Sequence, residues 1–169
     1  DTGAPAQLFG KAAAAVPRYA VTSLMGTGQT GIVQGTEYGY PEKINFMGRR
    51  TKVLFQENAF ISDGVRAINR VLATSPDFHQ AGNLDWIDGE HGAVLGVLRR
   101  STPECDQGYL VFANLDIQNS YTLEVDLSPL IKDCVYLHLE DLIDGMHSDV
   151  RTDRVPIMLE PCGIRIYKV

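Results

Sequence analysis

Basic residues never accumulate anywhere in this 169-residue chain: Lys and Arg number 15 against 21 Asp and Glu, and the longest basic runs are the doublets Arg49-Arg50 and Arg99-Arg100. A formal charge of -6 with no basic stripe argues against a surface that neutralises a phosphate backbone, so no nucleic-acid partner is expected. Long hydrophobic runs are missing as well. None exceeds the five residues of Ala12–Val16, against the roughly 20 needed to span a bilayer, so a soluble chain with no membrane partner is expected. Cysteine is scarce. Cys105, Cys134 and Cys162 are odd in number and far apart, which gives neither a disulfide framework nor a zinc pattern. They read as free thiols, a usage that leans toward a cytoplasmic setting. The four histidines, His79, His91, His138 and His147, lie in different segments without metal-ligand spacing and read as surface or satisfied side chains, so neither metal nor cofactor is expected. An initiator methionine and a cleavable signal pattern are also missing, since the chain opens Asp1-Thr2-Gly3. A piece of a longer protein is the expectation.

What is present divides into two halves of different periodicity. From Ala4 to about Leu24 the apolar positions Leu8, Ala12, Val16 and Tyr19 recur three or four residues apart, which predicts a helix that Pro17 kinks or splits. A second helical face is carried by Ile61, Val65, Ile68 and Leu72 and is stopped by Pro76. Beyond Gly82 the period falls to two. Strands are predicted at residues 93–99, 109–115, 121–128, 135–140, 155–160 and 164–169, the clearest being 121–128, where Tyr121, Leu123, Val125 and Leu127 alternate with polar neighbours. Six strands with no helical pattern between them predict an antiparallel sandwich or barrel-like sheet. The boundary is placed among Pro76, Gly82 and Asn83, which gives segments 1–78 and 79–169.

The most constrained stretch is Gly26–Gly39, with glycines at 26, 28, 31, 35 and 39 around the β-branched pair Ile32-Val33. It predicts a short buried strand followed by a tight turn that carries the carboxylate of Glu37, the place where barrel enzymes keep their chemistry. A dinucleotide loop is excluded, because the Gly-x-Gly spacing precedes the strand and lacks the helix and acidic residue that should follow, and no Gly-Lys-Ser/Thr offers a phosphate loop. A lone strand would leave both edges unpaired, so strands contributed from outside this chain are expected. Tyr38, Tyr40 and Phe46, in the polar segment that follows, are candidates to stack on a ligand or to pack the loop down. Glu37 itself lines a binding site or holds neighbouring loop amides. Trp86, the single tryptophan, is expected to anchor the β-half to the preceding helix, with a carbohydrate platform as the other reading.

In order, these segments resemble the end of an α-amylase-type glycoside hydrolase, the glycoside hydrolase family 13 group, over almost the whole chain. Gly35-Thr36-Glu37-Tyr38-Gly39 is similar to the Gly-x-Glu-x-Gly after that family's last barrel strand. Ser75-Pro76-Asp77-Phe78-His79-Gln80-Ala81-Gly82 is similar to the turn after its last barrel helix. Val94–Arg99, Leu110–Leu115 with its Asn114, and Leu159–Ile166 with its Pro161 are similar to strands of its β-domain. Thr27-Gly28-Gln29-Thr30 departs from the Pro-Gly-x-Pro usual there, which marks a divergent branch.

The resemblance implies a fold in two parts: the last helix-strand-helix of a TIM-type (β/α)8 barrel, then an all-β antiparallel sandwich-like C-terminal domain. It implies that Asp1, 36 positions before Glu37, is the aspartate that stabilises the oxocarbenium-like transition state, and that Glu37, Tyr38 and Tyr40 line the substrate. Nucleophile and acid/base would lie upstream. The implied reaction is retaining hydrolysis or transglycosylation of an α-glucan or oligosaccharide by the parent enzyme, with the missing N-terminal barrel segment as partner and this chain inert alone. A non-catalytic accessory or carbohydrate-binding β-sandwich module is the alternative reading.

Overall fold

The computed structural model describes residues 3–42, 58–87, 91–102, 107–131 and 133–169. Three helices, α1 (Pro5–Phe9), α2 (Ala15–Leu24) and α3 (Ala59–Thr74), precede eight strands. The strands are β1 (Asn83–Ile87), β2 (Val94–Arg100), β3 (Tyr109–Asn114), β4 (Tyr121–Val125), β5 (Tyr136–Asp141), β6 (His147–Arg151), β7 (Val155–Leu159) and β8 (Ile164–Lys168).

The first helical pattern is broken, but not where proline predicted. Gly10, at φ +73°, ends α1, and a 3-10 turn over Ala12–Ala14 leads into α2. Pro17 sits in the first turn of α2, where the N–H it lacks is one of the donors that no intrahelical carbonyl accepts, so it causes no break. The second pattern forms α3, with Ile61, Val65, Ile68 and Val71 buried along one stripe. The two longer helices cross closely at Gly64, where a Cβ would lie 2.7 Å from Val16 Cγ1.

The strand expected in the glycine-rich stretch does not form. Residues 31–33 carry no strand hydrogen bonding, and Val33 is 64% exposed. A strand is defined by a neighbour, and among the described residues every ladder belongs to β1–β8. Ile32 nevertheless packs against the helical core.

A six-stranded antiparallel sheet in the order β1-β2-β3-β8-β5-β6 and a two-stranded sheet, β4-β7, make up the β-half. Six strands match the sequence reading, although Tyr121–Ser128 shortens to end at Val125. Two strands were not anticipated. β6 (His-Ser-Asp-Val-Arg) is an almost wholly exposed edge with no apolar face, and β1 is an edge of only five residues. Polar, short edges protect a sheet from pairing with other chains, and for that reason they carry little hydrophobic signal.

Alternation sends the odd positions of β2 and β3 to one side and the even positions to the other. Val97, Tyr109, Val111 and Ala113, with Ile164 and Ile166 of β8, join Val16, Leu24, Ile61, Ile68 and Val71 in a core against the helices. Val94, Leu98, Leu110 and Phe112 join Leu123, Val125, Ile157 and Leu159 in a second core against β4-β7. The molecule is therefore layered: helices, large sheet, small sheet. Every residue of β3 is buried.

Two polar side chains tie the layers together. Asn114, fully buried at the end of β3, donates to the carbonyls of Asn119 (2.8 Å) and Glu160 (2.9 Å) and accepts from the Asp116 N–H. Arg99 on β2, 1% exposed, projects into the helical side. Its guanidinium donates to the carbonyls of Gly26 (2.7 Å) and Gln80, with longer contacts to those of Leu24, Asp77 and Ala81, and it lies 5.0 Å over the Phe78 ring. It caps the C-terminal end of α2, where the helix dipole favours a cation, and clasps the turn that leaves α3. Burial lowers its pKa, and the charge of Asp77 opposes that shift.

Candidate functional site

Sequence and packing converge on the turn after the glycine-rich stretch. The segment is pinned at its base by Arg99 on the Leu24 and Gly26 carbonyls and by a hydrogen bond between the Ser23 and Thr30 hydroxyls (3.0 Å). It then tightens into a 3-10 turn over Thr36–Tyr38, flanked by Gly35 at φ +102° and Gly39 at φ +71°. Both glycines occupy the left-handed region that L side chains resist. Gly39 is also crowded, since a Cβ there would lie 2.6 Å from Ile61 Cδ1 and 3.0 Å from Ala12 Cβ. The turn is thus pressed onto α3 and the 3-10 turn that precedes α2.

Glu37 Oε2 accepts the Gly35 N–H at 2.8 Å. Of the two readings open for this carboxylate, holding loop amides is what the geometry displays. Tyr38 is 37% exposed and Tyr40 is half-buried, with the Tyr38 and Tyr40 N–H groups both bonded to the Gly35 carbonyl. Glu37, Tyr38 and Tyr40 are therefore gathered on one small rigid turn. Asp1, Phe46, Arg49, Arg50 and Cys105 lie outside the described residues. A retaining glycosidase needs two carboxyl groups roughly 5–5.5 Å apart. This turn carries a single carboxylate, and it is engaged with its own backbone.

Trp86 does not anchor the two halves. It stands 56% exposed on edge strand β1, because the anchoring is done by Arg99 and by the apolar face of the sheet. Cys134 and Cys162 are free thiols, as their spacing suggested. Burial raises the Cys162 pKa, with Lys11 and Arg18 opposing, so this thiol is not activated. Among the described residues, no group of three or more His, Cys, Asp or Glu side chains is arranged to hold a metal ion, and no helix is long and apolar enough to cross a membrane.

A pocket of about 310 Å³ opens between α3 and the β7–β8 turn. Its walls are mainly apolar (Val16, Phe60, Met158, Ile164), with Asp63 and Arg165 among its polar groups. It shares α3 with the Glu37 turn but is lined by none of that turn's residues.

No family model and no curated protein matches the sequence. Solved structures do match. A noncanonic maltogenic alpha-amylase, AmyB, from Thermotoga neapolitana aligns with the whole of this chain at TM-score 0.76 and 17% identity, over 39% of its own length. An alpha-amylase from Geobacillus thermoleovorans, complexed with acarbose, aligns with 92% of this chain and 33% of its own at TM-score 0.62 and 15% identity. A gamma-CGTase from alkalophilic Bacillus clarkii aligns with 94% of this chain and 23% of its own at TM-score 0.66 and 16% identity. In each the match is to the C-terminal region only. The chain thus has the fold of the C-terminal region of these structures, helices followed by an antiparallel sheet, and spans well under half their length.

Proposed function

We propose that this chain is the C-terminal portion of an α-amylase-type retaining glycoside hydrolase or transglycosylase acting on α-glucans or related α-glucosides. The observation that carries the reading is the alignment of the entire chain with the C-terminal region of AmyB. That alignment is reinforced by a Gly-x-Glu-x-Gly turn held rigidly between helices at the position where the family resemblance expects one. In this reading residues 1–78 complete a (β/α)8 barrel and residues 79–169 form the β-domain beside it. Ile32 and Val33 become the last barrel strand only when neighbouring strands of the parent flank them, which accounts for a strand-like sequence that is unpaired here. Leu8, Phe9, Val33 and Phe60, all exposed on the helical half, gain cover from the same source.

Within the parent, Asp1 stabilises the developing positive charge of the transition state, and Glu37, Tyr38 and Tyr40 line the sugar path. The nucleophilic and acid/base carboxyl groups come from upstream. Chemistry on this chain alone is not expected. A barrel requires about 250 residues, so an antibody against this chain should detect a native product well above roughly 40 kDa. A band near 18.6 kDa overturns the reading in favour of an accessory module. That second reading has one observation in its favour, the exposed Trp86. It predicts that Trp86→Ala abolishes retention of the isolated chain on immobilised α-glucan.

A further inference from the structure

In sequence, His138 and His147 are unrelated, but the β5–β6 hairpin brings them together. The Asp141 N–H donates to the Met146 carbonyl (2.8 Å), the Gly145 N–H to the Asp141 carbonyl (2.8 Å) and the Met146 N–H to Asp144 Oδ1 (2.9 Å), with Gly145 at φ +75°. That turn fixes the register so that His138 faces Asp149 and Glu140 faces His147. All four side chains then lie on the outer face of the ribbon, because Leu137 and Leu139 take the inner face. The two imidazole rings come to rest 5.3 Å apart between centroids, with planes 18° apart. His138 Nδ1 donates to Asp149 Oδ1 at 3.0 Å.

We propose that His138 and His147 form a cross-strand chelate for a divalent late transition-metal ion, zinc above all, with water completing the shell and Asp149 as a positioning residue. The separation suits the task. With Zn–N of about 2.0–2.1 Å and a further ~1.1 Å from nitrogen to ring centre, a tetrahedral ion places two imidazole centroids about 5.2 Å apart. The rings are stacked, so the ion is met by the His147 ring turning about its side-chain bonds while His138 keeps its bond to Asp149. The hydrogen bond to Asp149 places the proton on Nδ1 of His138 and leaves Nε2 as the ligating nitrogen, the orienting role that carboxylates play behind ligating histidines. Two imidazoles suit zinc, copper and nickel better than calcium or magnesium, which take oxygen ligands. The site has two protein donors, since among the described residues no group of three or more is arranged to hold a metal ion.

The site lies in the β-half and does not depend on the glycosidase reading. Its test is calorimetric titration of the metal-stripped full protein with Zn²⁺, with the melting temperature followed in parallel. One equivalent should bind and raise the melting temperature. His138→Gln and His147→Gln should each weaken binding at least tenfold and remove the shift, while Asp149→Asn should weaken it by roughly 10-fold or more. The double variant His138→Gln/His147→Gln decides the matter. If it binds Zn²⁺ with unchanged affinity, through thiols or elsewhere, the proposal is wrong. An unchanged affinity in Asp149→Asn removes the positioning role.

Discussion

Replacing Arg99 by methionine tests whether this buried cation holds the helices to the sheet. Methionine keeps the apolar stem and most of the volume but removes every donor, so the carbonyls of Gly26 and Gln80 lose their charged partner inside the protein. Hydrogen bonds to charged groups are worth about 1.5–3 kcal/mol each, and two well-formed ones give a gross loss of about 3–6 kcal/mol. Opposing this is relief of the burial cost of the cation, the same desolvation that lowers its pKa. For buried ions that cost is several kcal/mol before compensation. Among the described residues no carboxylate forms an ion pair with the guanidinium and its Nε hydrogen has no acceptor, so the compensation comes mainly from carbonyls, helped by the charge of Asp77 and the Phe78 ring, and a net destabilisation of about 2–3 kcal/mol is expected. Arg99→Lys should recover part of it, since one ammonium cannot reach both carbonyl groups. The assay is urea unfolding, read as a lower midpoint with an unchanged slope. The loss should not vary between pH 6 and 9, because a guanidinium titrates far above that window even when burial lowers its pKa. An Arg99→Met variant as stable as the parent within about 0.5 kcal/mol would refute the reasoning, placing Arg99 among the buried ions whose desolvation outweighs their bonds.

Other residues give further tests. Gly39→Ala must adopt φ +71° and press on Ile61, so it should cost about 1–3 kcal/mol in the same unfolding assay. Glu37→Gln keeps a side-chain acceptor for the Gly35 N–H and should change stability by less than about 1 kcal/mol. On the proposed glycosidase reading it should also lower kcat/KM of the longer enzyme on a maltooligosaccharide, which separates a substrate role from a structural one. Asp116 accepts from the Gln118 and Asn119 N–H groups, the Asn119 side chain and the Tyr121 hydroxyl, and these bonds hold its carboxyl far below the ordinary range, led by the Asn119 side chain. A depressed carboxylate pKa contributes stability that is present above the unfolded-state value of about 3.9 and is lost as pH falls below it. Melting temperatures at pH 7 and pH 3 should therefore drop more for the parent than for Asp116→Asn, and equal drops would remove this carboxylate from the account.

Legibility in the sequence followed burial. The stripe of Ile61, Val65 and Ile68 and the alternation of Tyr121, Leu123 and Val125 were readable because one face of each element meets a core, and a core imposes a period. Edge strand β6 has no such face and left no signal. The glycine-rich stretch misled for the opposite reason. Ile32 and Val33 have strand character, but a strand is a property of two segments, and the described residues contain no partner for them. The break between α1 and α2 came from Gly10, whose left-handed conformation ends a helix, while Pro17 is harmless where it stands. At the candidate site, the spacing around Glu37 was visible, but the fold-back of its carboxylate onto Gly35 depends on two left-handed glycines that composition can only suggest. The meeting of His138 with His147 depends on hairpin register and could not be seen without it.

The large sheet is wetted on neither side at its centre. Its β2, β3 and β8 residues Val97, Val111, Ala113, Ile164 and Ile166 are sealed by helices that come earlier in the chain, and the opposite face is sealed by β4 and β7. The β-half is therefore not a cassette. Cut away at residue 79 and transplanted behind another protein, it would carry a bare apolar wall and a stranded guanidinium into water. Any engineer who wishes to move it must take α2 and α3 along.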